Sequence, residues 1–186
     1  MPLTTYTAGE VLTASSLNAN FSFAAGAGAL KLISSTPIGT TVGSVTVSNA
    51  FSATYDAYKI VITGGLGSSA NQNLALQLGA TTTGYYLGAA GVTYSTGAAA
   101  LIGLDNGSSF TPAGFTLSSG LAMNCDIQNP FLASNTFISG AFVNTSNART
   151  FSGYLANTTS YTAFTITPAS GTLTGGNIRV YGYATS

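Results

Sequence analysis

The sequence predicts an all-β protein, an antiparallel β-sandwich or barrel in one domain, preceded by a short N-terminal arm with one or two helical turns. Many short segments alternate apolar and polar residues with a period of two. Clusters of Gly, Asn, Asp, Ser and Pro separate these segments, as turns do. The pattern changes near residue 30, so we assign residues 1–30 to an attachment arm and residues 31–186 to the β-domain.

The arm contains the segment TTYTAGEVLTASSLNANFSF. Thr13 is a suitable N-cap for a short helix, and Leu12 and Leu17 are spaced as a hydrophobic staple. Phe21 follows Leu17 by four residues and therefore shares its face. An isolated helix this short is marginal in water, so we expect Leu12, Leu17 and Phe21 to dock on the body, a sister chain or another protein. The run from Ala24 to Ala29 predicts a flexible hinge.

The strand pattern is clearest in NLALQLGA, where Leu74, Leu76 and Leu78 share one face. The segments AYKIVITG and GSVTVSNAF alternate in the same way. We predict that the following apolar residues point into the core: Tyr58, Ile60, Ile62, Val45 and Val47. TFISGAFVN, ARTFSGYLA, YTAFTITPA and GGNIRVYGYA continue the series, and no helical period follows residue 30.

The middle of the chain, from Gly84 to Gly114, has no strong period. We predict one hairpin around Asn106 and Gly107, together with long surface loops. Because long ordered loops are often functional, this region is the expected variable face.

Charged residues make up only 4% of the 186 residues and cancel to zero net charge. A typical soluble domain carries about 25% charged residues, and so neutral a surface favours self-association. Four scattered cations cannot form the basic patch that nucleic acid or an anionic membrane requires, so neither partner is expected. The first residues lack a signal-peptide pattern, and we expect synthesis in the cytoplasm.

Catalytic motifs are missing from this sequence. It contains no histidine, so neither a serine triad nor activation of the single Cys125 by a histidine base can be built. The four carboxylates show no spacing typical of an acid–base pair. We therefore predict no enzymatic activity, no cofactor and no metal site.

The ten tyrosines offer two interpretations. A tyrosine presents an apolar face and a polar tip, which suits contact with saccharides or proteins. Tyr85, Tyr86, Tyr94 and Asn106 are accordingly candidate residues for surface contact with glycans. The alternative is that tyrosine covers sheet edges or subunit interfaces in place of charged residues.

Three segments together resemble one family. TTYTAGEVLTASSLNANF resembles the N-terminal segments of tailed-phage virion proteins. FTITPASGTLTGGNIRVYGY (Phe164 to Tyr183) is similar to the last strand pair of small phage fibre-tip jelly rolls, and ATYDAYKIVITGG to an early strand of such domains. The similarity covers about a quarter of the chain.

The resemblance implies a homotrimeric jelly-roll β-sandwich located on a virion, with the arm bound to other virion proteins of the capsid or tail. No long coiled-coil or triple-β shaft is present in the sequence, which favours a compact knob. The first expectation is a short tail-fibre or adhesin-type subunit that contacts host surface glycans. The second is a capsid decoration (cement) protein that stabilises the head, and the third is a free carbohydrate-binding module.

Overall fold

The computed structural model describes residues 5–11, 13–26, 30–117 and 119–184, without the side chains of residues 22–26. In chain order the elements of this part are α1 (Ala14–Gly26), β1 (Leu30–Pro37), β2 (Val45–Val47), β3 (Ala57–Thr63), β4 (Leu66–Gly67), β5 (Asn73–Leu78), β6 (Tyr85–Thr93), β7 (Ala99–Gly107), β8 (Phe110–Leu117), β9 (Gly120–Ala122), β10 (Asn124–Gln128), β11 (Thr136–Val143), β12 (Asn147–Leu155), β13 (Phe164–Pro168), β14 (Leu173–Thr174) and β15 (Asn177–Tyr183).

The strands form two main antiparallel sheets. The large sheet has eight strands in the order β1-β15-β3-β10-β11-β12-β6-β7, and the small sheet has five in the order β2-β13-β5-β8-β9. A two-stranded pair, β14-β4, completes the set. The inner faces of both main sheets contribute to one hydrophobic core, so the predicted all-β sandwich is confirmed.

The core positions predicted from the alternating pattern are confirmed. Leu74, Leu76 and Leu78 on β5 are buried, and so are Tyr58 and Ile60 on β3. Ile62, Val45 and Val47 are buried as well. Large apolar residues at every second position leave only one stable orientation of a strand, because a shift by one residue would expose all of them.

The middle of the chain differs from the prediction. β6 and β7 are nine residues long and form a hairpin through the turn at residues 94–98, so the expectation of long loops is wrong. The chain turns after Gly107, but it leaves the large sheet there, and β8 pairs with β5 and β9 instead of β7. The predicted hairpin at Asn106 is therefore a corner between sheets. Outward positions such as Gly88, Ala90 and Gly103 carry small residues, which hides the alternation.

The arm contains a longer helix than predicted. α1 spans 13 residues, about three and a half turns. Thr13 is confirmed as its N-cap, since its Oγ1 accepts a hydrogen bond from the Ser16 amide at 3.3 Å. The hinge predicted from Ala24 is wrong as far as Gly26, which is helical, and its remainder lies outside the described residues. No helix in the described part of the chain is long and apolar enough to cross a membrane.

α1 is followed by β1, one edge of the large sheet. β1 pairs antiparallel with β15 from Leu30 opposite Tyr183 to Pro37 opposite Asn177. The arm thus leaves the domain at the edge of the sheet.

Candidate functional site

The first candidate site is the exposed face of α1. Leu17 and Phe21 lie one turn apart, and 39% and 64% of their surfaces are exposed. The helix contains no charged residue. Leu12, the third residue predicted to dock, lies outside the described residues. α1 therefore presents two neighbouring apolar side chains that a complementary apolar surface could cover.

The second candidate site lies on the outer face of the large sheet. Phe137 on β11, Tyr154 on β12 and Tyr86 on β6 are paired across neighbouring strands and form what we call the aromatic row. The rings of Tyr86 and Tyr154 stack with centroids 4.9 Å apart and an interplanar angle of 12°. Phe137 is 45% exposed and Tyr154 is 37% exposed. Three neighbouring strands thus each place one aromatic side chain on the outer face of the large sheet, and two of the rings stack on each other.

A groove runs beside this ridge. The next outward positions on the same three strands are Ser139, Ser152 and Gly88, which we call the serine row. A cavity of about 440 Å³ lies over Ser152 and Gly88 against the aromatic row. A second cavity of about 250 Å³ continues over Ser139 to Asp126 on β10. The small residues of the serine row make the floor, because they leave the space that the aromatic side chains occupy one row away.

Asp126 gives one end of the groove a polar character. Its Oδ1 accepts a hydrogen bond from the Tyr183 hydroxyl at 2.5 Å and forms an ion pair with Lys59 Nζ at 3.4 Å. The hydrogen bond from Tyr183 to this carboxylate raises the pKa of Tyr183 to about 12. The carboxylate at this end is therefore held in place by two neighbours.

The prediction that Tyr85 is a surface contact residue is wrong. Tyr85 is fully buried, and its ring packs edge-on against Phe110 at 4.8 Å. Its hydroxyl accepts a hydrogen bond from the Leu78 amide at 2.8 Å. Burial raises the pKa of Tyr85 to about 12. The residue belongs to the core.

The other predicted residues do not form one site. Tyr86 lies in the aromatic row, whereas Tyr94 lies beyond the opposite end of β6, about 25 Å away. Tyr94 is 54% exposed. Asn106 is exposed with φ of 50°, and its Oδ1 accepts a hydrogen bond from the Gly84 amide at 2.9 Å. Asn106 therefore ties the end of β7 to Gly84, the residue before β6.

Sequence reasoning missed most of the groove. Phe137 and Ser139 alternate within TFISGAFVN, which indicates that both face the same side of β11. The pairing that brings Tyr154 and Tyr86 beside Phe137 is not visible in that pattern. The serine row was not predicted, because Ser and Gly do not indicate which face of a strand is exposed.

The described residues offer no other chemical centre of note. Cys125 is fully buried, and burial raises its pKa to about 12, so the thiol stays protonated at neutral pH. No group of three or more His, Cys, Asp or Glu side chains in the described part of the chain is placed to hold a metal ion. The groove and the helix face are therefore considered as surfaces for binding. No family model, curated protein or solved structure matches this chain.

Proposed function

We propose that this chain is a structural subunit of a phage particle, of the short tail-fibre or adhesin type, and that α1 attaches it to the particle. One observation carries the proposal: an uncharged helix at the N-terminal side of the domain exposes Leu17 and Phe21 together. The arm and the last strands resemble segments of tailed-phage virion proteins, and this resemblance is the reason for proposing a phage particle as the partner.

The binding free energy expected from this helix is moderate. Burying Leu17 and Phe21 contributes about 1.5–3 kcal/mol each, before the cost of ordering the arm is subtracted. A single arm therefore binds weakly. In the proposed homotrimer three arms engage neighbouring sites, and the second and third bind at a high effective concentration.

The test is incorporation of charged variants. The double variant Leu17→Asp/Phe21→Asp places two carboxylates on the apolar face. We expect this variant to fold, but we expect particles assembled with it to contain few or no copies of the subunit. Ala19→Asp is the matched control, because Ala19 is exposed on the opposite side of the same helix. Occupancy is measured as subunits per purified particle, and folding by circular dichroism. Normal occupancy of the double variant would contradict the proposal.

Two other functions remain candidates. A cement protein on the head predicts hundreds of copies per particle, whereas an adhesin-type subunit predicts a few to some tens of copies at the tail. The aromatic row favours the second alternative, a free carbohydrate-binding module, which requires glycan binding and no incorporation into particles. Counting copies per particle separates the first two.

A further inference from the structure

We infer that the groove between the aromatic row and the serine row binds a neutral oligosaccharide. The inference rests on the proposed glycan contact of an adhesin-type subunit. The contact surface is then the outer face of the large sheet and not the loops around Tyr94 and Asn106.

The aromatic row supplies the apolar half of the site. A pyranose ring has one face of C–H groups, which packs on aromatic surface, and its hydroxyls point to the side. Phe137, Tyr154 and Tyr86 extend across three strands, about 10 Å, which is the length of a disaccharide. The depression beside them has a volume of about 440 Å³ and is open to solvent, so a saccharide bound there would keep one side exposed.

The floor supplies the polar half. Ser139 and Ser152 carry hydroxyl groups that both donate and accept, as a polyol requires. Asp126 and Gln128 line the far end of the groove. Tyr183 and Lys59 both contact the Asp126 carboxylate at Oδ1, so within the described part of the chain Oδ2 is left as an acceptor for a sugar hydroxyl.

The charges at the groove favour a neutral ligand. The negative charge of Asp126 is balanced by Lys59 at 3.4 Å. The described residues that line the groove include no Lys or Arg, so an acidic saccharide would lose hydration there without gaining an ion pair. A neutral sugar avoids that desolvation cost and still uses the carboxylate as a hydrogen-bond acceptor.

A second copy of the chain fits the groove less well. Interfaces between subunits exclude water from an apolar centre, and a buried hydroxyl without a partner costs free energy. Ser139 and Ser152 lie in the centre of this surface, next to the aromatic row. A saccharide brings a hydroxyl for each of them.

The experiment uses the full chain on an array of neutral and acidic bacterial surface oligosaccharides. We expect binding to at least one neutral oligosaccharide. Titration calorimetry with that glycan should show at least a tenfold weaker Kd for Tyr154→Ser and for Ser152→Val. Valine suits an exposed strand position, so the second variant keeps the fold while filling the floor. The control is Tyr94→Ser, which changes an exposed tyrosine far from the groove and should bind as the unchanged chain does.

Two results would overturn the inference: no neutral oligosaccharide binds, or both groove variants bind glycan as tightly as the control. Sedimentation of the groove variants is measured alongside, and a change in their oligomeric mass without glycan binding would indicate a different role for the groove. Such a change in oligomeric mass would indicate that this face of the large sheet is a contact between subunits. The Leu17→Asp/Phe21→Asp variant is expected to bind glycan normally, so failure of the arm and failure of the groove are distinguishable.

Discussion

The buried hydroxyl of Tyr85 should contribute measurably to the stability of the sandwich. β8 begins opposite Leu76, so the last residues of β5 have no partner strand on that side. The Tyr85 hydroxyl takes the place of that strand and accepts a hydrogen bond from the Leu78 amide at 2.8 Å. Tyr85→Phe keeps the ring and its edge contact with Phe110 but removes this acceptor. A buried amide left without a partner costs about 1–3 kcal/mol.

The assay is urea unfolding at a fixed protein concentration, because the apparent stability of an oligomer depends on concentration. A loss of about 2 kcal/mol with an m value of about 2 kcal/mol/M lowers the midpoint by about 1 M urea. Tyr94→Phe removes a hydroxyl from an exposed tyrosine and should change stability by less than about 0.5 kcal/mol. If Tyr85→Phe unfolds at the same urea concentration as Tyr94→Phe, the hydroxyl does not serve as the missing ladder partner.

Two further predictions concern packing and pH. In Gly140→Ala the new methyl group would lie 2.5 Å from a carbonyl oxygen of β10 and 2.8 Å from the Phe151 ring, so we expect the free energy of unfolding to fall by about 1–3 kcal/mol. The control is Gly103→Ala, whose methyl group would meet nothing within 4 Å and should be tolerated. Equal urea midpoints for the two variants would contradict the packing described. Burial raises the pKa values of Tyr85 and Cys125 to about 12, so the folded chain keeps protons that the unfolded chain loses. Stability should therefore be full below about pH 9 and fall as the pH rises toward 12, with a shallower fall in Cys125→Ala, as urea midpoints between pH 8 and 12 can determine.

The strands with large apolar residues at every second position were predictable, because one face of each had to be buried. β6 was not, although its sequence contains the signal. Tyr85, Leu87 and Ala89 follow at intervals of two and are all buried, which assigns Tyr86 to the outside. Two adjacent tyrosines hid this period, since each can face either way. The choice is made by Leu87, which must be buried.

The length of α1 and the position of the groove show two limits of local patterns. Ala24 and Gly26 suggested a hinge, but alanine is the best helix former, and the helix continues through both residues. The aromatic row depends on the pairing of β12 with β6, which are separated in sequence by the five strands β7 to β11. Such pairing is decided by the packing of the whole domain. No segment taken alone contains it.

The attachment of α1 to β1 has a mechanical consequence. A force that pulls the arm along the axis of β1 must slide this strand past β15. All the hydrogen bonds that join residues 30–37 of β1 to β15 are then strained at once. A force directed across the sheet would open the same bonds one after another. The proposed attachment through α1 would therefore resist a load along β1 better than a load across the sheet.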